Sequence, residues 1–172
     1  MSLLTSAATT AFIALGSNLG DSRRILEQAF ARLQEFSTTP IRCSSLWRSS
    51  PVDCPPGSSD FVNAVAVITP LLDKTPESLL AKLRAIEVEF GRAPKTVLNE
   101  PRPLDLDLIA FGSEVRSTAQ LTLPHPRASV RRFVLAPLSE LAPGLILPGQ
   151  VKTVAELLDS LATNELVERL QT

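Results

Sequence analysis

Residues 104–111 read LDLDLIAF, an apolar run whose first half alternates between leucine and aspartate. Alternation with a period of two marks a β-strand with unlike faces. Leu104, Leu106 and Leu108 would face the core. Asp105 and Asp107 would stand side by side on the opposite face, ~7 Å apart at ~3.3 Å per residue. Two parallel carboxylates repel each other unless a cation lies between them. Hard oxygen ligands with open positions suit Mg²⁺. The same pattern also describes a strand edge with two acids in water, so on these residues alone both readings stand.

Three more strands are read outward from this one. Residues 11–15 (AFIAL) run into the turn Gly16-Ser17-Asn18, and residues 41–47 and 61–69 (FVNAVAVIT) follow. A helix capped by Asp21 or Ser22 carries Ile25, Leu26, Ala29, Phe30 and Leu33 on one face and stops by Pro40. A second begins at Thr75 or Pro76, keeps Leu79, Leu80, Leu83, Ile86 and Phe90 on one face, places Glu77 in its first turn, and ends at Gly91. The order β-α-β-β-α-β predicts an α+β fold of ferredoxin-like type, an antiparallel sheet with helices packed on it.

Beyond residue 111 the expectations are shorter elements. Val115 and residues 119–123 form a hairpin around 116–118, and Pro124-His125-Pro126 breaks the chain. A short helix covers 129–141 and a strand 145–147. Residues 151–172 form a C-terminal helical extension with an amphipathic helix at 154–161. Residues 1–10 read as a disordered lead-in, and no repeat or linker divides the chain, so a single domain over 1–172 is expected.

The net charge of −1 gives no global attraction to nucleic acid or an anionic membrane, and neither is expected as a partner. The apolar runs are too short to span a bilayer, and Met1 precedes no signal-like pattern, so the expected location is cytoplasmic. Cys43 and Cys54 fit no zinc spacing and are read as free thiols of a reducing compartment, an incidental disulfide being the other reading. Charge is unevenly spread. Residues 92–132 hold seven basic and four acidic side chains, and the remainder ten and fourteen. A basic segment in an acidic chain suits a small anionic ligand, or it is a solvated charged face.

Two irregular stretches, 49–59 (SSPVDCPPGSS) and 92–103, are long for connections in a small domain and read either as functional lids or as plain loops. Arg92 and Arg102 flank the second, and His125 and Arg131 follow the aspartate strand. Guanidinium groups fork onto phosphate oxygens. A carboxylate pair beside Arg and His is the apparatus that phosphoryl transfer requires. Asn63 stands in an apolar strand, where its amide must find partners, in the backbone or at the edge of a heterocycle. Phe61 shares its face, and Phe133 follows Arg131-Arg132; these rings can clamp a flat ligand or belong to the core.

Taken together, ALGSNLGD (14–21), FVNAVAV (61–67), EFGR (89–92), PRPLDLDLIAFG (101–112) and LTLPHPRASVRRFVLAPLSELAP (121–143) resemble the 6-hydroxymethyl-7,8-dihydropterin pyrophosphokinase family of the folate pathway, in order and over most of the chain. The resemblance implies transfer of pyrophosphate from Mg-ATP to the pterin hydroxymethyl group with release of AMP. It implies that Asp105 and Asp107 bind a pair of Mg²⁺ ions, that Arg92, Arg102, His125 and Arg131 hold phosphates, and that Thr122 and the Leu121 backbone lie near adenine and ribose. It implies that Phe61 and Phe133 sandwich the pterin, and that Asn63 with the backbone of 49–52, from Ser49 to Val52, bonds its edge. Asn18 and Glu87 fall at polar positions of the pattern and are carried over with it, a solvated helix Glu being the other reading of Glu87. A monomer is expected, alone or fused to other folate enzymes. The chain departs from the pattern at Asn99-Glu100, where many members have Trp-Gly, and at Pro94 and Phe61.

Two rivals remain open at this stage. A nucleotidyl- or glycosyltransferase could use an Asp-x-Asp site, but no basic groove or Rossmann glycine pattern accompanies it here. A binding module that kept the fold would have lost the aspartates or the arginines, and all are present.

Overall fold

The computed structural model of the chain describes residues 8–94 and 97–171. Three strands form the middle of the main sheet: β1 (Ala11–Ser17), β4 (Phe61–Ile68) and β5 (Asp105–Phe111). With β2 (Arg42–Cys43), β3 (Trp47–Ser49) and β8 (Val167–Arg169) they make a sheet of order β5-β1-β4-β3-β8, with β2 pairing β4 and every pair antiparallel. β1 and β4 are nearly continuous apolar runs because both of their faces are covered.

On one face lie α1 (Ser22–Gln34) and α2 (Pro76–Glu89). The Asp21 side chain accepts the Arg24 N–H at 3.3 Å and starts α1. A reciprocal Thr75/Ser78 capping box with Pro76 in the first turn starts α2. Leu26, Leu33, Leu79, Leu83 and Ile86 from these helices meet Ile13, Leu15, Ala64, Leu106 and Leu108 from the strands and Leu104 just before β5. On the other face α3 (Arg132–Leu141) and α4 (Val154–Ser160) cover Phe12, Ala14, Val65, Val67 and Ile109. The alternation read from 104–108 therefore holds, with the leucines on the α1/α2 face.

Several boundaries differ from expectation, each for a local reason. The strand expected at 41–47 is two pieces. Ser44 donates its N–H to Val65 O and accepts Val65 N–H with its hydroxyl, both at 2.9 Å, so a side chain interrupts the ladder. The hairpin pairs β6 (Arg116–Ser117) with β7 (Thr122–Leu123), and its turn lies later, where Thr118 bonds Leu121. A 3₁₀ turn, Ala128–Val130, precedes α3. Residues 145–147 pack Leu147 into the second core without joining a strand among the described residues.

The helical extension expected over 151–172 is corrected. Among the described residues there, helix covers Val154–Ser160 alone, and Val167–Arg169 forms β8. The outer edge of β3 would otherwise present unpaired backbone groups, and β8 takes them, pairing Trp47 with Arg169 and Ser49 with Val167. Of the lead-in expected at 1–10, residues 1–7 lie outside the described residues. No helix among the described residues is long and apolar enough to cross a membrane.

Candidate active site

The register brings distant residues into one row. Gly16 of β1 stands opposite Asp105 on one side and Asn63 on the other, and Asn63 stands opposite Trp47. Ala14 pairs with Asp107, and Phe61 with Ser49. Cross-strand partners share a face, so Asp105, Gly16 and Asn63 line the sheet on the α3 side, with Asp107 and Phe61 one step along their strands. Phe61 belongs to neither core cluster. Gly16 keeps the row open, since a Cβ there would point between Asn63 Oδ1 at 3.5 Å and Phe61 Cδ1 at 3.7 Å.

The arginines converge on Asp105. Arg92 Nη1 donates to its Oδ1 at 2.9 Å, and Arg102 Nη1 lies 3.4 Å from the same oxygen. Arg102 is held in turn by Asn18, whose Oδ1 accepts the Arg102 N–H at 3.0 Å and whose own N–H donates to Arg102 O at 3.2 Å. Asp107 makes no salt bridge among the described residues. Burial and, next, the charge of Asp105 push its pKa up to about 6. The two carboxylates fit Mg²⁺, which takes one or two carboxylates and completes its shell with phosphate oxygens and water. Among the described residues no group of three or more His, Cys, Asp or Glu could build an all-protein cage.

His125 is anchored to the same strand by its N–H, which donates to Ile109 O at 2.8 Å. Its Nδ1 accepts the Arg127 N–H at 3.2 Å, which leaves the ring proton on Nε2 as a donor. Burial, then Arg131 and Arg127, lower its pKa, so the ring is neutral at neutral pH. The Arg131 guanidinium lies over the Phe133 ring, 5.4 Å from its centroid.

Asn63 is satisfied on one side only. Its Nδ2 donates to the buried Ser49 Oγ at 2.7 Å, and its Oδ1 accepts from no group among the described residues. The Ser49 hydroxyl thus orients the Asn63 amide. Val52 is exposed in the 49–59 loop, and Thr122 is exposed on β7. Neither is hydrogen-bonded to the aspartate cluster. Leu121 packs its side chain into the first core, while Thr118 engages both its N–H and its C=O. The two irregular loops touch, since Asn99 Nδ2 donates to Asp53 O at 2.8 Å. Both residues adopt left-handed φ, 53° and 52°.

Two charged residues of α2 join the cluster: Glu87, a polar position of the family pattern, and Arg84, which the sequence did not signal. Glu87 is 1% exposed, so it is not the solvated helix Glu of the alternative reading. Its Oε1 accepts the Leu106 N–H at 3.0 Å and pairs with Arg84 Nη1 at 2.5 Å, and its Oε2 pairs with Arg92 Nη1. Arg84 Nη1 also donates to Leu106 O at 3.2 Å. On a helix, Arg and Glu three apart look like an ordinary surface pair. Only the placement of β5 at the sheet edge makes them its partners.

The family model described as 7,8-dihydro-6-hydroxymethylpterin-pyrophosphokinase matches residues 12–143. The chain is 38% identical over 160 residues to the 2-amino-4-hydroxy-6-hydroxymethyldihydropteridine pyrophosphokinase of Haemophilus influenzae, covering 92% of this chain and 97% of that one. It is 41% identical over 140 residues to the protein of the same name from Pseudomonas aeruginosa, covering 80% and 83%. A folate synthesis bifunctional protein of Arabidopsis thaliana is 36% identical over 141 residues, which span 80% of this chain and 28% of the relative. Among solved structures, a crystal structure of an HPPK-DHPS in complex with substrates matches with a TM-score of 0.72 at 12% identity. That match covers 90% of this chain and 43% of the other, a likeness of fold alone.

Proposed function

The chain belongs to the 7,8-dihydro-6-hydroxymethylpterin-pyrophosphokinase family, and from that premise we propose that the row built on Asp105, Gly16 and Asn63 is its active site. The reaction is transfer of pyrophosphate from ATP to the hydroxymethyl group of 6-hydroxymethyl-7,8-dihydropterin, releasing AMP, in folate biosynthesis. The enzyme is an ATP-dependent diphosphotransferase. The observation that carries the site assignment is the register that sets the carboxylate pair, Gly16 and Asn63 on one sheet face.

In this reading Asp105 and Asp107 hold Mg²⁺ as a pair of ions with the triphosphate. The chemistry supplied by Mg²⁺ bound there is Lewis-acid activation of the phosphorus under attack and charge balance for the departing AMP. Arg92, Arg102 and Arg131 grip phosphate oxygens, and His125 donates from Nε2. Thr122 and the Leu121 backbone flank the nucleoside. The pterin lies over Gly16, its edge on Asn63 Oδ1 and the backbone from Ser49 to Val52, its faces against Phe61 and Phe133. The hydroxymethyl oxygen bonds to the β-phosphorus, the bond from that phosphorus to the AMP oxygen breaks, and the hydroxyl proton passes to an aspartate carboxylate. The strand order β5-β1-β4-β3 supports the ferredoxin-like assignment of the core. The free thiols of Cys43 and Cys54 support a cytoplasmic setting. The working form is a monomer, alone or beside other folate enzymes.

The test is a coupled assay with ATP, Mg²⁺ and the pterin, with AMP and ADP separated by chromatography and Asp105→Ala as control. AMP is expected one-for-one with pterin diphosphate and is lost in the variant. ADP would instead mean an ordinary kinase, and no turnover from folded protein a binding module. The bond between Asn99 and Asp53 ties two loops beside the site, so Mg-ATP is expected to bind first and complete the pterin pocket. Pterin affinity measured by calorimetry should rise at least tenfold with a non-hydrolysable ATP analogue present. Equal affinity with and without the analogue would refute the order.

A further inference from the structure

We propose that Glu87 is a positioning residue for this reaction, holding both the Leu106 peptide between the two aspartates and the Arg92 guanidinium beside them; this rests on the functional reading above. β5 is the outermost strand of the sheet on its side. The Leu106 N–H and C=O turn away from β1, toward α2, where Glu87 Oε1 and Arg84 Nη1 meet them. The peptide that carries Asp105 on one side and Asp107 on the other is thus clamped by a fully buried carboxylate. A buried polar group left without its partner is costly, so this peptide has one preferred orientation. Both aspartate side chains inherit that orientation.

The second consequence concerns Arg92, whose Nη1 is shared between Glu87 and Asp105 Oδ1. A guanidinium resting on a metal-binding carboxylate competes with the metal for it. Glu87 offers Arg92 a second, buried anion, so Arg92 stays in place when Asp105 turns to the metal, with its other donors available to phosphate. Without Glu87, Arg92 keeps Asp105 as its carboxylate partner and rests on it alone of the two. Arg84 supports the arrangement from the half-exposed side by bonding both Glu87 and Leu106 O.

The test compares Glu87→Gln with the wild type. Glutamine keeps the volume and an acceptor for the Leu106 N–H, but loses the charge that holds Arg92. Calorimetric titration of Mg²⁺ in the presence of a non-hydrolysable ATP analogue should show the half-saturating concentration raised at least fivefold. The kcat should fall at least tenfold, while KM for the pterin, which lies on the β4 side, stays within twofold. A purely structural role would lower Tm and leave the Mg²⁺ midpoint and the kcat of the folded fraction unchanged, and that result overturns the proposal. If Glu87→Gln does not fold, Arg84→Met carries the test, because it opens the same clamp from its half-exposed side. A threefold rise in the Mg²⁺ midpoint is then expected, and a wild-type midpoint overturns the proposal. The binding titration does not need turnover, so a wild type that forms no AMP would refute the functional reading alone.

Discussion

Asp107→Asn is expected to cut AMP formation by at least ~10³-fold, since a metal-held phosphoryl transition state draws several kcal/mol from its ligands. The same substitution should stabilise the metal-free protein. Burial and the neighbouring Asp105 charge raise the Asp107 pKa to about 6, above its ordinary value near 4. Below about pH 4 the carboxyl is protonated in both the folded and the unfolded chain and the site is neutral in its effect. Between about pH 4 and 6 the unfolded chain has released a proton that the folded chain still holds, so stability falls as pH rises. Above about pH 6 the full cost applies, on the order of 2 kcal/mol. The expected result is a Tm difference between variant and wild type that is near zero at pH 4 and favours the variant by about 5 °C at pH 7. Adding Mg²⁺ with the ATP analogue should raise Tm of the wild type and leave the variant unmoved. Full turnover in Asp107→Asn with Mg²⁺ still bound would remove this residue from the mechanism, and a Tm difference independent of pH would remove the electrostatic cause.

Gly16→Val should separate the two substrates. The position has ordinary extended backbone, and a Cβ would meet Asn63 and Phe61 at van der Waals distance, so the strand accepts a side chain. The γ-carbons, however, extend into the slot over the row that joins Asp105 to Asn63. Overpacking of this kind costs a bound ligand up to ~3 kcal/mol, equivalent to ~10²-fold in kcat/KM for the pterin. Binding of the ATP analogue with Mg²⁺ should change less than twofold, because Arg92 and Arg102 meet Asp105, while a Cβ at Gly16 would meet Asn63 and Phe61. Gly16→Ala should fall between the two. A Gly16→Val enzyme with wild-type pterin kinetics would mean that the pterin lies elsewhere. Equal losses for both substrates would mean that the sheet itself had been distorted.

Much of the candidate site was legible in the chain. The alternation at 104–108 placed both aspartates on one face, and the structure keeps them there. Arg92 and Arg102 read as companions of that pair, and both lie on Asp105. Asn63 read as an amide in need of partners, and it has one in Ser49. Other features left no mark. Arg84 looks like any exposed residue of an amphipathic helix, and the burial of Glu87 cannot be read from its neighbours in the chain. Residues 165–170, brief and charged, read as an extension of helix, yet Val167–Arg169 completes the sheet. Gly16 reads as the opening of a turn, although it lies inside β1 between Asp105 and Asn63.

What the sequence determined by itself was local: strand and helix periods, caps, the carboxylate pair, and the motifs that mark the family. These live in neighbouring residues, where backbone geometry alone sets which side chains share a face. What the tertiary structure decided was everything that depends on which strand became an edge and in what register it paired. β5 at the edge left the Leu106 peptide for Glu87 and Arg84 to claim, and β3 at the other edge left a ladder for β8. The register across β5, β1 and β4 set Asp105, Gly16 and Asn63 in one row. Unpaired backbone groups at a sheet edge must be satisfied by whatever the fold brings beside them, and no stretch of sequence read alone carries that information.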